Sequence, residues 1–310
     1  MRVLVRQAQA GERETMQTDR KETLATMGLK NVVFPTDFSR TASGALPFAA
    51  GLASRFRAAL HVVNAAEPAN YSLPPETWHL ADQTRERETK QVRTFLQTSF
   101  PEIESEVQVW EGTVSQVLTS AIDRDHADMI VLGTHGRTGV GKLLLGSAAE
   151  AILRTAPCPV LTLGPHARTE PEWQLHQILY ATDFSPASIE GVQYAIAFAQ
   201  AYNAKLALLH VIETRETDEL VHEAELTDSS RRLLRKLVPE DALPFEPRCE
   251  VIQGAAADAI IEVARRLNAG LIVLGARRAS GATSHLPVAT VHKVIAQAPC
   301  PVLTVRHMAS

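Results

Sequence analysis

Nearly the whole chain is written twice. Asn31-Val-Val-Phe-Pro-Thr-Asp37-Phe-Ser39 returns as Gln177-Ile-Leu-Tyr-Ala-Thr-Asp183-Phe-Ser185, Leu60-His-Val62 as Leu209-His-Val211, Trp110-Glu-Gly112 as Ile252-Gln-Gly254, and residues 127–133 as 269–275. Both copies close on Ala-Pro-Cys-Pro-Val-Leu-Thr, starting at Ala156 and Ala298. Blocks that recur in the same order mean one folding unit duplicated, and 310 residues suit two units better than one core. The expected division is a loose N-terminal extension over 1–28, a first domain over 29–164, a linker over 165–175 and a second domain over 176–306.

Within each copy, apolar runs of strand length alternate with longer helical patterns. In copy one the pattern predicts strands near 31–35, 59–65, 104–110, 128–133 and 159–163, with helices near 41–57, 76–99, 114–124 and 146–155. Continuous apolar strands imply burial on both faces, hence a parallel sheet covered by helices. Helix-length crossovers make each unit a doubly wound α/β fold of five parallel strands, and ligands of such sheets bind beyond the carboxyl ends of the strands where the winding reverses. Pro159–Leu163 and Pro301–Val305 are short, apolar and begin with proline, so they can pair edge to edge and hide an edge of each copy. An internal pseudo-dimer through these final strands is the expectation, and a homodimer of whole chains is a further option.

Composition narrows the partners. A net charge of −4, with 21% charged residues, gives no concentrated basic face for nucleic acid. No apolar run approaches the roughly 18 residues that span a bilayer, so no membrane partner is expected. Three cysteines without Cys-x-x-Cys spacing read as buried thiols in a reducing compartment, and a cytoplasmic location is the expectation. The histidines show no metal-ligand spacing, and His61 and His210, inside predicted strands, read as satisfied core imidazoles.

The chemistry-bearing segment lies in copy one. After the apolar run Met129–Leu132 come Gly133-Thr134-His135-Gly136, nine further residues, and then Gly146-Ser147 at the head of an apolar helix. Residues without a Cβ let the backbone turn tightly and approach a ligand, while a helix start offers amides and a favourable dipole to an anion. Arg137 and Lys142 within the loop add positive charge. The ladder therefore points to a bound phosphate. Asp37, at the end of the first strand, has two readings: a carboxylate accepting from an adenine or ribose edge, or a cap for the following helix, a task Ser39 or Thr41 can also perform. Asp183 is retained where the ladder is lost, which favours the structural role.

These residues resemble the universal stress proteins in their tandem form. The resemblance spans nearly all of Lys30 to Val305, and its most specific element is Gly, two residues, Gly, nine residues, Gly-Ser, which copy one satisfies without a gap. It implies a Rossmann-like, adenine nucleotide alpha hydrolase-like fold that binds ATP or a related adenine nucleotide and acts as a stress-response sensor or switch. By the same resemblance Asp37 and the backbone of Val62 face adenine and ribose, Leu132, Gly133 and Gly136 line the cradle, and Gly146, Ser147 and Ala148 hold the phosphates. Magnesium would enter only with the nucleotide.

Copy two departs from this pattern. Arg278 stands for the second glycine and Val288-Ala289 for Gly-Ser, so no such site is expected there. Three other readings compete. A P-loop fits Gly136 to Lys142, but Leu143 follows where the magnesium-coordinating hydroxyl should stand. A weak ATP hydrolase lacks a residue placed to activate water, and no catalytic residue is assigned. A nucleotide-independent interaction or scaffold protein would use the charged helix around Asp82–Arg93, a run that more simply reads as a solvated face.

Overall fold

The computed structural model describes residues 28–66, 76–134, 147–168, 173–213, 220–276 and 288–306; residues 40, 41, 43, 76–81, 147, 148, 187, 220–223, 276 and 288 are described as backbone only. The first half runs β1 (Asn31–Pro35), α1 (Arg40–Phe56), β2 (Ala59–Ala66), α2 (Glu76–Ser99), β3 (Ser105–Glu111), α3 (Val114–Arg124), β4 (Met129–Gly133), α4 (Ser147–Thr155) and β5 (Val160–Leu163). The second repeats it as β6 (Gln177–Ala181), α5 (Pro186–Tyr202), β7 (Lys205–Ile212), α6 (Leu220–Lys236), β8 (Arg248–Gln253), α7 (Ala256–Arg266), β9 (Leu271–Ala276), α8 (Val288–Gln297) and β10 (Val302–Arg306).

Each half is a parallel sheet, and the two fuse into one ten-stranded sheet of order β3-β2-β1-β4-β5-β10-β9-β6-β7-β8. The seam is the antiparallel pair β5·β10, with Val302 opposite Thr162, Leu303 opposite Leu161 and Thr304 opposite Val160. The remaining pairings are parallel, including Val33↔Ile130 between β1 and β4. The chain winds outward from β1 through β2 to β3, then returns to place β4 on the other side of β1. Both halves thus carry a reversal point at their first strand, between β1 and β4 and between β6 and β9.

Alternate strand residues serve opposite faces. Val32, Phe34, Met129 and Val131 join one core with α1, α2, α5 and α6, whereas Val33, Ile130 and Leu132 join the other with α3, α4, α7 and α8. Each core runs through both halves. Aromatic packing ties α1 to α5: Trp173, just before β6, lies 5.4 Å from the Phe48 ring and 5.7 Å from that of Tyr202, and Phe56 lies 5.4 Å from Phe198. Aromatic pairs of this kind contribute about 0.5–1.5 kcal/mol each beyond their burial. The connection between the halves is held down as well, with Arg168 N donating to Pro299 O at 3.1 Å and Trp173 Nε1 to Gly270 O at 3.3 Å. At Gly164 a Cβ would overlap the carbonyl oxygen of Ile295, so α8 and the end of β5 approach at glycine distance.

Helix ends follow the local sequence. Ser39 and Ser185 cap α1 and α5 by accepting from Ala42 N and Ser188 N, and Thr113 with Gln116 forms a reciprocal capping box on α3. Burial pushes the Cys158 and Cys300 thiols up to about 12. Among the described residues no helix is long and apolar enough to cross a membrane.

One correspondence read from sequence is displaced. Thr36 N donates to Val63 O and Thr182 N to Leu209 O, so Val63 matches Leu209. The shared Leu-His-Val phrases are therefore not equivalent: Leu60 matches Leu206, and His210 matches Asn64. A frequent strand tripeptide recurred by composition, while hydrogen-bond register fixed the true alignment.

Candidate functional site

The reversal point of the first half brings together the ends of β1 and β4. Register continued toward the strand ends sets Thr36 level with Gly133, and Thr134 N closes the adjacent edge on Leu163 O at 3.1 Å. Parallel strands finish there with amides and carbonyls directed out of the sheet, which is where an open α/β sheet accommodates a ligand.

The turn after β1 is built from its own side chains. Thr36 Oγ1 accepts from Phe38 N at 3.0 Å, and Asp37 Oδ1 accepts from Ser39 N at 2.9 Å. Phe38 is held at φ 57°, a left-handed conformation that a bulky residue adopts only when its surroundings impose it. Asn64 Nδ2 donates to Thr36 O at 2.8 Å, locking the turn to β2. Asp37 therefore does not cap α1 itself, which Ser39 does; it shapes the turn that presents Ser39. Val62 is fully buried, paired to Phe34 of β1 on one side and Val107 of β3 on the other, and Leu132 is 3% exposed in the other core, so neither directs a side chain to the strand ends. Gly133 ends β4 beside them. Gly136, Arg137, Lys142 and Gly146 lie outside the described residues, as does the P-loop alternative built on the same segment. Ser147 opens α4, and Ala148 follows it. Glu150, the acidic residue of that first turn, is engaged by Arg154 at 3.0 Å.

The second half repeats the turn with different company. Phe184 is at φ 59°, its amide donates to Thr182 Oγ1 at 2.9 Å, and Ser185 N donates to Asp183 Oδ1 at 3.0 Å. Around this shared frame two apolar positions have become polar and one polar residue has changed kind: Phe34 is matched by Tyr180, Ala42 by Ser188 and Asn64 by His210. Tyr180 Oη donates to Ser188 O at 2.6 Å, Ser188 Oγ donates to Ser185 O at 2.9 Å and lies 2.9 Å from Thr182 Oγ1, and His210 Nδ1 donates to Thr182 O at 2.8 Å. The His210 ring also lies 4.5 Å from that of Phe184. Burial alone would raise the Asp183 carboxyl, but hydrogen bonds from Ser185 and Ser188 outweigh it and hold the group below its ordinary value. This network was not found from the sequence. Part of the signal was there, in extending the repeat three residues past Ser185 to Ser188; the place of His210 needed the register of β7, which only the structure gives.

His61 is held away from the site, with Nε2 3.2 Å from Asn31 Oδ1 and Nδ1 3.7 Å from Asp125. Among the described residues no three metal-ligating side chains come together. In the charged helix α2, Asp82 pairs with Arg85 at 3.1 Å and Arg93 donates to Val107 O, contacts within the half.

The profile of the universal stress protein family matches residues 28–163 and again 174–306. A universal stress protein of Mycobacterium tuberculosis is 27% identical over 256 residues, covering 80% of this chain and 86% of that protein. One from Methanocaldococcus jannaschii is 29% identical over 138 residues, 43% of this chain and 81% of its own length. In fold, a universal stress protein from Archaeoglobus fulgidus superposes with a TM-score of 0.67 at 20% identity, covering 89% of this chain and 98% of that one.

Proposed function

The chain belongs to the universal stress protein family, and from that premise we propose that its first half binds one ATP or related adenine nucleotide and acts as a stress-response sensor or switch. One observation carries the reading: the two halves share the same turn beyond their first strands, yet only the first continues into the glycine ladder. In this reading the Asp37 carboxylate borders the adenine and ribose together with the main chain toward the carboxyl end of β2, the strand that carries Val62. Gly133 and Gly136 let the backbone approach, Arg137 and Lys142 neutralise charge, and the amides of Gly146, Ser147 and Ala148 receive the phosphates. The residues fit such a group. Gly133 ends its strand at the reversal point, and the short acidic turn of α4 has its charge answered by Arg154. Any magnesium would be held through the nucleotide. Cytoplasmic location goes with this reading.

In the second half, Tyr180, Ser188 and His210 are already engaged by carbonyls of the turn and by Thr182, which favours a structural role there. Calorimetric titration of the whole chain with ATP, ADP, AMP and cyclic AMP tests the proposal. The expected result is a single site, weakened at least about tenfold when Gly146 and Ser147 are both replaced by Val, a loss of about 1.4 kcal/mol or more. Silence at millimolar nucleotide, or two equal sites, would overturn it.

A further inference from the structure

The two halves are related by an approximate twofold axis at the β5·β10 seam, and at the two ends of that seam the relation fails. Counting from the shared Ala-Pro-Cys-Pro phrase, Gly164 is the counterpart of Arg306, and Leu153 that of Ile295. At one end of the seam Gly164 lies against the carbonyl of Ile295 with no room for a side chain. At the other, the Arg306 guanidinium reaches across from the second half, Nη2 donating to Leu153 O and Nη1 to Arg154 O. Those are carbonyls of the last turn of α4, the helix whose opposite end is Ser147.

The helix ends of the two halves are thus finished by different means. In the second half, Arg265 of α7 donates to Gln297 O at the end of α8, a contact made within the half. The counterpart of Arg265 in the first half is Asp123, exposed and unable to donate in its ionised form. The half that lost the glycine ladder finishes its helix itself; the half that kept it receives a cation from its neighbour. A guanidinium at the carboxyl end answers carbonyls that lack helical partners and favours the same dipole that an anion favours at the amino end.

Resting on the nucleotide reading above, we infer that Arg306 is a positioning residue for the phosphate end of α4, so that the second half supports binding in the first without touching the ligand. Its action is through a nine-residue helix, short enough for the order of one end to be felt at the other. The geometry predicts a selective effect, on phosphate contacts and not on the adenine side formed by β1 and β2.

The test is equilibrium binding of ATP and of adenosine to the full chain. Arg306→Met is expected to weaken ATP about three- to tenfold and leave adenosine within about twofold of wild type, and Arg306→Lys to recover part of the loss. Asp123→Arg in the Arg306→Met background, which supplies a guanidinium from within the half as Arg265 does in the other, is expected to restore ATP. ATP binding unchanged in Arg306→Met, or ATP and adenosine weakened alike, overturns the inference and leaves the nucleotide reading standing. A wild-type chain that binds neither ligand overturns the nucleotide reading itself, and this inference with it. If Arg306→Met does not fold, the Lys variant decides: ATP weakened with adenosine unchanged supports the role, and both unchanged or both weakened overturns it.

Discussion

Asp37 and Asp183 sit in the same turn, each accepting from the serine two residues on, and Asp183 is hydrogen-bonded by Ser188 as well. Its carboxyl is held below the unfolded value of about 3.9. A group depressed in the folded state stabilises the protein above its unfolded pKa, and that contribution fades as pH falls through the folded pKa. Denaturant unfolding of wild type and Asp183→Asn between pH 2 and 6 should therefore show a stability difference that is constant above about pH 5 and shrinks below about pH 4. A difference independent of pH would mean that the charge of Asp183 contributes nothing. Sequence alone left Asp37 suspended between ligand and cap; the structure shows a third arrangement, a carboxylate that orders the turn holding the cap. A composition argument could not reach this, because the distinction lies in which amide the oxygen meets.

Strands and helices were largely legible, since buried parallel strands announce themselves as unbroken apolar runs and helix starts as Ser or Thr caps. The predicted first helix over 41–57 is observed as Arg40–Phe56, and the strand over 104–110 as Ser105–Glu111. What the pattern could not supply was strand register, because side-chain periodicity distinguishes faces but not a displacement of the repeat along β7. The same limit hid the approach of Gly164 to α8, a contact between segments far apart in sequence. Gly164→Ala should cost about 1–3 kcal/mol by forcing that approach apart. Gly51→Ala, inside α1 where a Cβ meets nothing within 4 Å, should add about 0.5–1 kcal/mol. Chemical denaturation of both variants measures the contrast, and equal effects would show that Gly164 is not sterically required.

At the scale of the molecule, the two cores pass through both halves and the seam removes an apolar edge from each. The outer edges are guarded differently, by Glu106 and Glu111 on β3 and by Arg248 and Glu250 on β8. Residues 28–164 alone should therefore associate through the exposed β5, giving dimers or larger species in sedimentation velocity; a stable monomer would show that the seam is dispensable. The antiparallel seam has one more consequence. Because the strands of one half run against those of the other, their carboxyl ends emerge at opposite poles of the molecule. The turn beyond β1 and its counterpart beyond β6 thus face away from each other, and no small molecule can bridge them. Any macromolecule that reads both must reach around the whole particle, and news of an occupant at one pole travels to the other through the body of the protein.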